Sequence, residues 1–163
     1  MPAIESARTV GLFRDAMEAR DVAAVVDLFA PDAVFHSPLT ERLAFTGPEQ
    51  IGPLTEVVFQ VFDDLRYTDE GTGDGTGYLV WRARIGDLDI ESVDVLRFGP
   101  DGKIQEVTAF FRPLPAAAAA LRMIGAGLAR RKSPARAAAV SVMAAPLAFL
   151  ARTGDPIGVR LVS

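Results

Sequence analysis

Apolar residues recur at helical spacing over Ser6–Arg20, where Val10, Phe13, Ala16 and Met17 share one face. Asp21 is placed as an N-cap for a short second helix, Val22–Phe29, which stops near Pro31. The stretch AVFHSPL reads as a short strand ended by Pro38, since proline breaks ladder pairing. Gly47-Pro48 then opens a third helix whose apolar set includes Ile51, Leu54, Val57, Val58, Val61 and Phe62.

Beyond that helix the period changes from helical to strand-like. LRYTDEG predicts a strand, and GTGDGTG (Gly71–Gly77) a hairpin loop. The glycines do not make a phosphate-binding fingerprint, because no helix follows to present its N-terminus. Strands follow at Tyr78–Ile85, Leu88–Phe98 and Ile104–Arg112, joined by the turns IGDL and GPDG. The run PLPAAAAA marks a boundary between a domain at 1–115 and an extension at 116–163. Ala116–Arg131 and Ala135–Ala151 read as two alanine-rich helices broken near Ser133-Pro134. The apolar run Ala137–Leu150 is 14 residues long and contains Pro146, short of the ~20 residues a membrane span needs. It reads as a buried or subunit-facing helix.

Strand 88–98 raises the main chemical question. Its side chains alternate, so Glu91 shares a face with Val93 and Val95, while Ser92, Asp94 and Leu96 share the other. A carboxylate on an apolar face must be paired, hydrated or neutralised. Asp94 is assigned to the convex face, near Arg82 or Arg84 across strands.

Composition narrows the chemistry. The chain has 163 residues, no cysteine and one histidine, His36. Disulfides, iron–sulfur clusters, thiol catalysis and multi-histidine metal sites are therefore excluded. No secretory signal is read at the N-terminus, and the simplest compartment is the cytoplasm. The first 111 residues hold 9 basic and 20 acidic side chains, a net −11, and the remaining 52 hold 8 and 1, a net +7. A basic tail beside an acidic body folds back on that body or on a symmetry mate. Nucleic-acid binding is not expected, since aromatic residues and basic helix patterning are missing where it would need them.

The order of elements, with FRDAMEARDVAAVVDLFAPDAVFHSPL, FTGPEQIGPL and VDVLRFGPDGKIQEVTAFF, resembles the SnoaL-like branch of the NTF2-like superfamily over roughly residues 5–115. The resemblance implies an α+β cone, in which a curved, mainly antiparallel sheet wraps the N-terminal helices around an apolar pocket, here with a C-terminal helical extension. It also implies a homodimer and no cofactor. Ketosteroid isomerases of this superfamily use a tyrosine, a basic aspartate and a protonated acid, and motif matching puts Phe13, Ser37 and Glu91 at those positions. Two of the three roles are then missing. For the Asp–Arg–Asp set of limonene epoxide hydrolases, Arg82 matches the arginine, but Arg84 and Thr108 fall near the expected aspartates.

On this fold Glu91 is expected to face the cavity as a neutral hydrogen-bonding acid, with His36 as the candidate base. The strands would contribute Leu79, Trp81, Val93, Val107, Ala109 and Phe111 to the ligand's surroundings. The helices would add Phe13, Met17, Phe59 and Phe62, and the first strand Ser37. Two functions stay open. One is a metal- and cofactor-free isomerase, cyclase or dehydratase acting on a hydrophobic, carbonyl-bearing compound of polyketide or terpenoid type. The other is a non-catalytic protein for ligand binding or dimerisation.

Overall fold

The computed structural model describes residues 3–38 and 40–162. Along the chain come α1 (Ala3–Glu18), α2 (Val22–Asp27), β1 (Phe29–His36), β2 (Ala44–Thr46) and α3 (Pro48–Val61). Then follow β3 (Asp63–Gly73), β4 (Thr76–Ile85), β5 (Leu88–Phe98), β6 (Ile104–Arg112), α4 (Leu114–Arg130) and α5 (Pro134–Val162). The strands form one sheet in the order β2-β1-β6-β5-β4-β3. Among the described strands only the β1–β6 pair is parallel.

Helix α1 lies against β3 and β4, and buries Val10, Phe13, Ala16 and Met17. Asp21 caps α2, its Oδ1 accepting the Ala24 N–H at 3.0 Å. That helix ends before the predicted Phe29. The Ile104 N–H of β6 donates to the Leu28 carbonyl at 2.8 Å, and Phe29 pairs with Ile104 as a strand residue. Pairing with a distant strand thus overrides local helix preference. The short strand β2 carries no periodic signal and follows from its pairing with β1.

The predicted loop at Gly71–Gly77 is mostly ladder. Strands β3 and β4 pair up to Gly73 and Thr76 and close on Asp74 and Gly75, at φ 40° and 74°. Positive φ at both central residues is what a type I′ hairpin turn requires.

The extension packs onto the cone. Helix α4 buries Ala116, Ala117, Ala118 and Ala120 and lies against α3 and the strands β4, β5 and β6. At Gly127 the helices come so close that a Cβ would lie 2.6 Å from Val57 Cγ1. Helix α5 continues through Pro146 to Val162, well past the predicted Ala151. Ala137, Val140, Ala144, Ala148 and Ala151 form its more buried stripe, packed along α4. Val142, Met143, Phe149 and Leu150 point outward and are exposed. By length and composition alone, Pro134–Asp155 could cross a membrane. Arg131 pairs with Glu56 and Arg152 with Asp87, so the basic tail folds back on the acidic body.

Gly47 links β2 to α3 at φ 71°, its N–H donating to the Ala33 carbonyl at 2.8 Å. A Cβ there would meet the Pro31 carbonyl oxygen at 2.9 Å. Gly47→Ala adds left-handed strain to a clash with backbone, and should lower stability by about 1–3 kcal/mol in denaturant unfolding. An unchanged midpoint would contradict this geometry.

Candidate active site

The hairpin between β4 and β5 closes on two residues, Gly86 (φ 60°) and Asp87, with Ile85 opposite Leu88. Glycine at the first central position fits a type II′ turn. That turn fixes every pairing above it. Arg82 stands opposite Glu91, Trp81 opposite Ser92 and Leu79 opposite Asp94. Directly opposed side chains share a face. Leu79 and Trp81 are buried inside the cone, so Ser92 and Asp94 are inside with them.

Asp94 is 5% exposed. The indole Nε1–H of Trp81 donates to its Oδ2 at 2.8 Å, and the Ser92 hydroxyl to its Oδ1 at 3.1 Å. Burial pushes this carboxyl up to about 6, against the two hydrogen bonds that favour its ionised form. Tyr67 stands opposite Trp81 on β3. Its hydroxyl is buried and lacks a hydrogen-bond partner among the described residues. Burial, with the charges of Asp94 and Glu18 adding to it, holds that hydroxyl well above the ordinary tyrosine value.

Asp94 forms part of the wall of a cavity with about 500 Å³ of space free of protein atoms, part of it open to solvent. Phe13, Met17, Phe62, Trp81, Ala109 and Phe111 line this inner chamber with Phe29, Phe35, Ile51 and others. Among the described lining residues Asp94 is the one ionisable group. The rings of Phe62, Trp81 and Phe111 pack edge-on or tilted, 5.2–6.0 Å between centroids. Thr55 also lines the chamber, but its hydroxyl donates to the Ile51 carbonyl at 2.9 Å. A second chamber of similar size lies under α4 and is lined by Ser37 and Phe111 among others.

The structure therefore reverses the expected faces of β5. Glu91 lies on the outer face, where Arg82 Nε approaches at 2.9 Å and Arg112 Nε at 3.2 Å. Val93, opposite Val80, is outside as well. Asp94, expected on the convex face, is the inward acid. Both faces of β5 hold a carboxylate among aliphatic residues, so alternation alone does not choose between them. His36 is also outside, 46% exposed, with Nε2 3.6 Å from Glu106 Oε1. It does not line the chamber, and the inward residue at that point of β1 is Phe35. Phe59 is only partly buried, beneath the Arg20 guanidinium at 6.0 Å, and lines neither chamber. Leu79 and Val107 are fully buried but stand outside both chamber walls. Among the described residues, no group of three or more His, Asp or Glu side chains converges as a metal would require.

Residues 10–107 match the model of the SnoaL-like domain family. The chain belongs to that family. Among solved structures, a steroid delta-isomerase from Pseudomonas aeruginosa is similar at 27% identity and a TM-score of 0.68, over 79% of this chain and 92% of that one. An uncharacterized protein with a cystatin-like fold from Silicibacter pomeroyi has the same TM-score at 24% identity, over 78% and 88% of the two chains. An NTF2-like protein of unknown function from Mesorhizobium loti reaches 0.61 at 17% identity, over 68% and 93%. The fold is the NTF2-like α+β cone. No curated protein matches the sequence significantly.

Asp94 links stability to pH. Its folded value of about 6 lies above the ordinary 3.8, so its contribution is fully favourable below pH ~4 and is lost as pH rises through 6. The loss amounts to at most about 3 kcal/mol. Asp94→Asn keeps an acceptor for Trp81 and can donate to Ser92. It should flatten the stability curve between pH 4 and 7 in urea unfolding. A variant curve with the wild-type slope would place the titrating group elsewhere.

Proposed function

We propose that this SnoaL-like chain is a small-molecule pocket protein. It takes a hydrophobic, carbonyl-bearing compound of polyketide or terpenoid type and promotes a cofactor-independent isomerisation, cyclisation or dehydration at Asp94. The observation that carries this reading is a carboxyl with a value of about 6, the one ionisable group among the described lining residues of a mainly apolar chamber. The likeness to a steroid delta-isomerase supports an apolar ligand.

Trp81 and Ser92 hold the two carboxyl oxygens, fixing the plane of the group. In its neutral form Asp94 donates to the ligand's carbonyl oxygen; as the carboxylate it takes the proton of an adjacent C–H bond, whose electron pair moves into the enolate, and it then returns a proton to that enolate. With a pKa of about 6, the group also exchanges protons readily in either direction near pH 7. Low dielectric around the aromatic rings strengthens that hydrogen bond.

A second reading rests on what accompanies Asp94. Phe13 and Thr55 offer the chamber no free acid or base, and His36 and Glu91 lie outside. A non-catalytic binding protein needs only the donor that Asp94 provides. The two readings separate in heavy water. With a cyclic enone as probe, the wild type should wash deuterium into the positions beside the carbonyl, while Asp94→Asn should slow this at least ~100-fold and Glu91→Gln leave it unchanged. Binding that depends on Asp94 without any exchange would identify a binding protein.

We propose further that the working form is a cytoplasmic homodimer. Tyr78 and Phe110 on the outer sheet face, with the outward residues of α5, are apolar surface that one chain leaves exposed. Light scattering at micromolar concentration should give twice the chain mass, and a monomer would refute this.

A further inference from the structure

We propose that the chamber under α4 is a subsite for the hydrocarbon tail of the same ligand, which makes the ligand elongated rather than compact. This rests on the reading of Asp94 as the group that meets the ligand's carbonyl. Phe35, Leu54, Val58 and Phe111 line both chambers, so the two spaces adjoin across one shared wall. A ligand held at Asp94 that grows past these residues enters the space beneath α4.

The lining of that space sets the chemistry of what enters. Leu121, Ile124 and Leu128 come from α4, facing Leu43, Phe45 and Pro38 from the rim of the cone. None of its described lining residues is ionisable, and Ser37 brings the one polar side chain. A charged or heavily hydroxylated tail would lose its hydration there without replacement. An alkyl or isoprenoid chain would not.

Helix α4 covers this subsite from outside the family's matched domain. Helix α4 begins at Leu114, beyond the matched residues 10–107. Its seat over the chamber is fixed by two close approaches. Gly127 meets Val57 of α3, and Gly125 faces Val140 of α5, where a Cβ would lie 3.1 Å from Cγ1. The small-residue stripe of α5 thus backs α4 from behind. The extension sets how long a ligand the cone accepts.

The test is a series of para-alkyl acetophenones, methyl to hexyl, titrated calorimetrically against the full-length protein at pH 5, below the value of about 6 for Asp94. Each added methylene should tighten binding about two- to fourfold until the outer chamber is filled. Ile124→Trp should remove that gain for the longer members and leave the methyl member unchanged. Leu128→Phe, a smaller intrusion, should shorten the series by one or two carbons if the tryptophan variant does not fold. Asp94-dependent binding of the methyl member, with affinity flat along the series or equal slopes in wild type and variants, would overturn the subsite alone. Failure of every member to bind would overturn it together with the proposed role of Asp94.

Discussion

The indole N–H of Trp81 reaches the carboxylate of Asp94 because the β4–β5 hairpin closes on Gly86 and Asp87 alone. One residue more or fewer in that turn would send Asp94 to solvent and Glu91 into the cone. The bond satisfies two groups that are costly to bury unpaired, a donor-only indole and a carboxylate. Ser92 supplies the second donor from the same strand. Desolvation still outweighs both bonds, and the carboxyl is left titrating near pH 6. The reactivity proposed for the site depends on that imbalance.

The rest of the cone shapes the space in front of this group. Helix α1 contributes Phe13 and Met17, α3 contributes Ile51, Leu54 and Val58, and β6 contributes Ala109 and Phe111. Ala109 stands directly opposite Asp94. A small side chain at that position leaves the carboxyl accessible from the chamber. The extension then covers the far side, with alanines where α4 meets the cone and leucine or isoleucine where it meets open space. The ion pairs from Arg131 and Arg152 to the body are exposed and add little energy. Packing, rather than charge, holds α4 in place.

Much of this was legible in the sequence. Helical spacing located α1 and α3, the cap at Asp21 located α2, and the strands β5 and β6 have the predicted limits. The inward face of β5 was legible too, although alternation alone did not reveal it. The IGDL turn sets Leu79 opposite Asp94 and Trp81 opposite Ser92, so a cone with Leu79 and Trp81 inside cannot also have Glu91 and Val93 inside. The indole's need for a buried acceptor points the same way. Other features depend on contacts that no local pattern carries. Strand β2 exists through its pairing with β1, Phe29 is a strand residue through β6, and α5 passes Pro146 while packed along α4.

The chemistry proposed for the chamber depends on the ionisation of Asp94 inside the folded protein. Carbon-detected NMR of the aspartate side-chain carboxyls, assigned by comparison with Asp94→Asn, reads it directly. One resonance, absent from the variant, should titrate with a midpoint near pH 6. A midpoint for Asp94 near the ordinary value of 3.8 would mean a hydrated carboxylate, and would contradict the buried acid on which the proposed chemistry depends.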